Sequence, residues 1–241
     1  MSGHSKWSTI KRAKAVTDAK RGAVFTKIGN IITIAAREKG GDPDSNPSLR
    51  MAIDKARSAN MPKDNIERAI KRGTGELAGD VVEELYYEGV LPGNIQVIIK
   101  SLTDNKNRSA SVIRHALSKH GGSLGSVMWN FDQKGVILLS LENIKSKNIE
   151  IDNLQLELIE LSIDDFMVKD DSVIILSAVE DLQKIKDRIE EMDLKVESAD
   201  IEYVAKTKQV LGGEDSSRLE KFAEVLDELE DVSDYYFNVD F

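Results

Sequence analysis

Apolar residues in this chain recur three and four apart through residues 18–73, and from Leu85 onward they alternate with a period of two. A period near 3.6 is that of a helix with one buried stripe, and a period of two is that of a strand with one buried face. The chain is therefore expected to fold as a helical segment followed by a sheet-containing remainder. In the first part, Val24, Phe25, Ile28, Ile31, Ile32 and Ala35 share a face of a helix from Asp18 to Lys39, which Gly40-Gly41 ends. Asn46 is a good N-cap and Pro47 suits the first helical position, with Leu49, Ala52, Ile53 and Ala56 as the buried stripe. A third helix starts near Pro62, buries Ile66, Ala69 and Ile70, and stops at Gly73, with Gly73-Thr74-Gly75 as a hinge.

The remainder reads as strands at 94–102, 127–131, 136–141, 163–168, 172–176 and 195–204, with helices at 107–120, 153–161 and 179–192. Lys134-Gly135 is expected as a turn, and Val168 to Ser172 as a hairpin. From 136 to 204 the order is β-α-β-β-α-β, the ferredoxin-like unit. The tail adds a strand at 206–211, a helix at 216–230 and a strand at 233–239, half of a second such unit. Counting elements gives an α+β chain: a helical bundle and two ferredoxin-like α+β domains, one inserted into the other. The expected division is 1–76 as a basic arm plus helical domain, 77–130 with 205–241 as a discontinuous domain, and 131–204 as the inserted one.

Charge follows the same boundary. Residues 1–75 hold sixteen Lys and Arg against seven Asp and Glu, a net of +9. Residues 76–241 hold seventeen against thirty-five, a net of −18. Such asymmetry points to a polyanion bound at one end, with the acidic part facing away from it. The basic arm supplies Lys6, Lys11, Arg12, Lys14, Lys20 and Arg21 as candidate phosphate contacts, and Lys27 continues them. Trp7 can stack on a base or anchor the arm to an apolar surface. Arg68, Lys71 and Arg72 share a face of the third helix, as a continuation of the basic surface or as a solvated face. Lys106, Arg108, Arg114 and Lys119 form a second candidate patch, again either a phosphate contact or the exposed side of a helix.

Several function classes find no support. The chain has no cysteine and three histidines, His4, His115 and His120. The last two are five apart, wrong for two ligands on one helical face, so no metal or cofactor is expected. Gly121-Gly122-Ser123-Leu124-Gly125 follows a helix, whereas a phosphate-binding loop precedes one. The acidic pairs, such as Asp164-Asp165, lack a pocket partner for acid–base work. Neither ferredoxin-like unit carries the aromatic RNA-binding signature on its strands. No apolar run reaches the roughly 18 residues of a membrane span, and residues 1–14 lack the apolar core of a signal peptide. A cytoplasmic protein without enzymatic activity is the expectation.

GHSKW, DAKRG, FTK, GGDP, NMPKDNIERAIKRG, LTDNKNRS and YYFNVDF, with GG-x-L-G at 121–125, together resemble the YebC/PmpR family over the whole chain. The resemblance implies a helical N-terminal domain, two α+β domains and no enzymatic activity. It also implies one of two roles: a DNA-binding transcriptional regulator, or a translational activator acting on mRNA or the ribosome and relieving stalling. From the residues alone, no helix-turn-helix signature stands out in 18–73, which favours structured RNA or the ribosome. A third reading makes the acidic domains an adaptor surface for a basic protein partner.

Overall fold

The computed structural model describes residues 18–78, 81–169 and 171–240, without the side chains of residues 18–21, 23 and 240. Its elements form two compact units. One holds residues 18–128 together with Gln209–Phe237, and the other holds Trp129–Lys208 with Asn238–Asp240.

The first unit begins with three helices: α1 (Asp18–Lys39), α2 (Pro47–Ser58) and α3 (Lys63–Gly73). Gly40 follows α1 at φ +91°, the left-handed conformation that glycine adopts without strain. Asn46 is fully buried and makes the joint between α1 and α2. Its Oδ1 accepts from the Leu49 N–H at 3.0 Å, and its Nδ2 donates to the carbonyls of Ala35 and Gly40, both at 2.8 Å. One side chain thereby satisfies orphan groups at a helix start and a helix end.

The single stripe expected on α1 is in fact two. Ile28, Ile32, Ala35 and Ala36 pack with Leu49, Ala52, Ile53 and Ala56 of α2 and with Met61, Ile66 and Ala69. Ile34 turns the other way and packs with Val82 and Leu102, with Ile31 half-buried against them. Arg37 Nη1 donates to the Val82 carbonyl at 2.6 Å on that side. A helix apolar nearly all round is buried on more than one side, so the helical segment is packed onto the following sheet.

That sheet has strands β1 (Glu83–Leu91), β2 (Ile95–Thr103), β3 (Ser123–Leu124) and β9 (Val232–Phe237), in the order β3-β1-β2-β9 and antiparallel throughout. Helices α4 (Lys106–Lys119) and α8 (Gly213–Glu228) also belong to this unit, as does the two-residue strand β8 (Gln209–Val210). The order departs from a βαββαβ repeat because β1, unmarked in the sequence, pairs with β2 as a hairpin. Its interior Gly89 looks like a strand breaker, yet it is there for packing. A Cβ would lie 2.9 Å from both Leu117 methyls of α4. Residues 127–130 are not a strand. The Glu88 carboxylate accepts the N–H groups of Val127 and Met128, each at 2.6 Å, so a side chain replaces the strand partner, and Met128–Asn130 turn in a 3₁₀ helix.

The second unit comprises β4 (Phe131–Ser140), α5 (Leu141–Ser146), α6 (Ile151–Ile159), β5 (Asp165–Lys169), β6 (Ser172–Ser177), α7 (Leu182–Glu191) and β7 (Val196–Ala205). Its sheet order is β5-β6-β4-β7, antiparallel, and its chain order is that of a ferredoxin-like unit with the first crossover split into two helices. Lys134-Gly135 is not a turn but lies within β4. A Cβ at Gly135 would be 2.5 Å from Ser177 Oγ and 2.9 Å from Leu182 Cβ, so glycine is demanded by the close approach of neighbouring elements. The strand expected at 206–211 shrinks to β8. The α+β class holds, as a helical segment followed by two four-stranded antiparallel sheets.

Candidate nucleic-acid interface

Helix α3 ends in Arg68, Lys71 and Arg72, all exposed, and none makes an ion pair with another described residue. Acidic neighbours do not quench them. Glu67, the nearest in sequence, pairs with Lys63 at 3.4 Å. Lys71 and Arg72 occupy the last turn, where the negative end of the helix dipole favours cations. Arg68 and Arg72 are four apart and flank a groove of about 280 Å³ between α1 and α3. Asn65 lines it one turn before Arg68, and Phe25, Thr26, Gly29 and Asn30 line it from α1. Among the described residues no carboxylate lines the groove. Asn30 and Asn65 carry no charge and so leave no mark in the charge pattern of the sequence. Their spacing from Arg68 and Arg72 on one helix face was the available signal for Asn65.

Lys27 does not join this face. With Ile31 and Ile34 it belongs to the sheet-facing side of α1, and its Nζ donates to the Asp227 carbonyl of α8 at 2.8 Å. Burial pushes its ammonium below the ordinary lysine range, partly offset by Asp227 and Asp234. Lys6, Trp7, Lys11, Arg12 and Lys14, and likewise His4, lie outside the described residues. Lys20 and Arg21 fall in α1, with side chains outside the description.

The second candidate patch is divided by its partners. Lys106 Nζ pairs with Glu83 at 2.7 Å. Arg108 is held by Asp104 and by Asp231, both at 2.9 Å. Arg114 and Lys119 remain exposed, with no ion pair among the described residues. His115 is exposed, while His120 packs edge-on against Phe222, ring centroids 5.3 Å apart, and burial holds it below the usual histidine range. Among the described residues no group of three or more His, Asp or Glu could hold a metal ion, and no helix is long and apolar enough to cross a membrane.

Asp231 is the structural centre of the former patch. Its carboxylate accepts from Arg108 Nη2 at 2.9 Å, Arg108 Nε at 3.2 Å and Ser109 Oγ at 2.6 Å, tying the start of α4 to the turn before β9. Burial by itself would raise this carboxyl, but the hydrogen bonds from Arg108 and Ser109 outweigh it and hold it below the ordinary range. A carboxyl depressed on folding stabilises fully above its unfolded value near 4, and that contribution fades as pH falls through the lower folded value. Asp231→Asn is expected to lower stability at pH 7 by about 1–2 kcal/mol, a charged hydrogen-bond contribution discounted for partial exposure. The deficit should shrink between pH 7 and pH 3. Urea midpoints at the two pH values check it, and an equal deficit at both would assign the loss to shape instead of charge.

A basic helical segment packed on one of two antiparallel sheets, with the acid concentrated beyond it, defines a class of two-signed α+β proteins. The comparisons give that class a family. Residues 5–76 match the model of the TACO1/YebC protein N-terminal domain, and residues 82–239 match that of the TACO1/YebC second and third domain. The chain is 43% identical over 241 residues to a probable transcriptional regulatory protein of Thermotoga maritima, covering 99% of this chain and 93% of the relative. It is 44% identical to another protein so named from Pelotomaculum thermopropionicum, covering 99% and 98%. The crystal structure of a conserved hypothetical protein from Aquifex aeolicus superposes with a TM-score of 0.83 at 36% identity, covering 94% of this chain and 93% of that one. The chain belongs to the TACO1/YebC family, whose relatives are named as regulators of transcription.

Proposed function

We propose that this protein is a non-enzymatic, nucleic-acid-binding regulator of gene expression whose binding region is residues 1–76. The observation that carries the reading is the exposed triad Arg68, Lys71 and Arg72, without an ion pair among the described residues, in a segment of net +9, against −18 in the rest of the chain. Unpaired cations release condensed counterions when they meet phosphates, which drives binding without regard to sequence. Residues 77–130 with 205–241, and the inserted 131–204, form acidic parts that phosphate repels, which orients the basic end toward the polyanion. That the relatives are named probable transcriptional regulatory proteins is the support for DNA over RNA as the target.

The test is a salt titration of the full chain on duplex DNA and on a structured RNA. Binding whose logarithm falls linearly with the logarithm of salt is expected, with a slope of about −0.9 per phosphate contacted on DNA. The steeper and tighter of the two arms names the target. Absence of binding to either would overturn the reading. Partners that survive nuclease digestion in a pull-down and require residues 129–241 would replace it with the acidic adaptor.

A further inference from the structure

The groove between α1 and α3 contains more than phosphate chemistry needs. Two arginines account for charge, but the lining also holds an aromatic ring and two side-chain amides. Phe25 is half-buried, one side packed on the helical core. Gly29 keeps the α1 wall low, since a Cβ there would meet only the end of Met61, at 3.8 Å. Asn65 is half-buried, and its amide makes no hydrogen bond with any described residue. Among the described residues Asn30 reaches only the Leu102 carbonyl, at 3.5 Å, the outer limit of a hydrogen bond, and its carbonyl oxygen meets no described donor. Half-buried amides without a partner among the described residues keep donors and acceptors open to water or to a ligand.

We propose that this groove receives one unstacked nucleotide of a single-stranded nucleic acid. The base lies against Phe25, the amides of Asn65 and Asn30 meet its edge, and Arg68 and Arg72 hold the flanking phosphates. This rests on the nucleic-acid reading above and narrows it. A base in a duplex is stacked on both faces, whereas a single strand offers a free π-face and a free Watson–Crick edge. A small free anion would use the arginines but leave the ring and amides without a role. An apolar ligand would leave the amides unsatisfied.

The experiment is fluorescence anisotropy of the full chain with a labelled single strand, an all-abasic strand of equal length and charge, and a blunt duplex, in RNA and DNA versions. The unmodified chain is expected to bind the base-containing strand about tenfold more tightly than the abasic one, the scale of one base stacked on an aromatic ring. Asn65→Leu and Phe25→Leu should each bring that ratio toward one with an unchanged salt slope. Arg68→Gln and Arg72→Gln should instead weaken both strands alike and reduce the slope. Thermal melts establish that each variant is folded. A ratio near one in the unmodified chain, or a ratio retained in both Asn65→Leu and Phe25→Leu, overturns the proposal while leaving phosphate binding intact. No binding to any strand overturns the nucleic-acid reading itself. The larger ratio of the two sugar types identifies the strand as RNA or DNA.

Discussion

Reversing the charge of Arg68, Lys71 and Arg72 to Glu together should weaken nucleic-acid binding by about a hundredfold or more at moderate salt, and reduce the log–log salt slope by about three. Each of these cations is exposed and without an ion-pair partner among the described residues, so its full charge is available to a phosphate. Each one lost removes about 0.9 from the slope, and each Glu adds repulsion on top. Stability should respond little, because exposed substitutions without buried contacts stay within about 0.5 kcal/mol. The exception is the last turn, where Lys71 and Arg72 stand at the negative end of the dipole, and carboxylates there cost about 0.3–1 kcal/mol each. The Gln triple variant separates these effects, keeping the lost contacts and removing the dipole penalty. Reversing Lys11, Arg12, Lys14, Lys20 and Arg21 in a parallel variant divides the slope between the arm and the helix. An unchanged slope in the α3 variant, with the arm variant inactive, would remove α3 from the interface.

Local sequence patterns reveal what depends on near neighbours and hide what depends on distant ones. The three helices were legible because a 3.6-residue period, Asn46 before Pro47 and Gly40 are all local signals. The basic region was legible for the same reason. Which cations remain free was not. Arg108 read either as a phosphate contact or as part of a solvated helix face, and Asp231, 123 residues later, closes on it. Lys27 looked like its neighbours until α8 offered the Asp227 carbonyl across 200 residues. The glycines misled in a consistent way. Gly135 read as a turn and β1, with Gly89 inside it, went unmarked, because these glycines leave space for Leu117, Ser177 and Leu182, which a linear reading cannot place. The groove was hidden on both counts. Its arginines were visible as charge, while its amides and ring come from helices that meet only in the fold.

Gly73→Ala carries the largest expected stability effect of a single methyl group in the helical segment. From sequence Gly73 reads as a helix stop and a hinge, yet it is the last residue of α3 and its φ is not positive, so conformation does not require glycine there. Packing does. A Cβ at Gly73 would lie 2.4 Å from the Thr33 carbonyl oxygen and 2.7 Å from Ala36 Cβ, both on α1. The Thr33 hydroxyl donates to the Ala69 carbonyl at 3.1 Å at the same crossing, so neither helix can yield without losing a contact. Backbone cannot rotate away as a side-chain tip can, and overpacking of this kind costs about 1–3 kcal/mol. That exceeds the roughly 1 kcal/mol by which alanine favours a helix over glycine. The melting temperature should fall by about 3–8 °C for a chain of this size. Gly22→Ala in α1 is the internal control. A Cβ there meets nothing within 4 Å, so propensity acts alone and the melting temperature should stay level or rise. Because Arg68 and Arg72 flank a groove whose other wall is α1, spreading the crossing should also weaken binding to the base-containing strand at temperatures where Gly73→Ala is still folded. Circular dichroism melts of the two variants, followed by anisotropy at low temperature, check both parts. A Gly73→Ala melting point equal to that of the unmodified chain would mean that α1 and α3 part at no cost, and that the groove between them is not held at a fixed width.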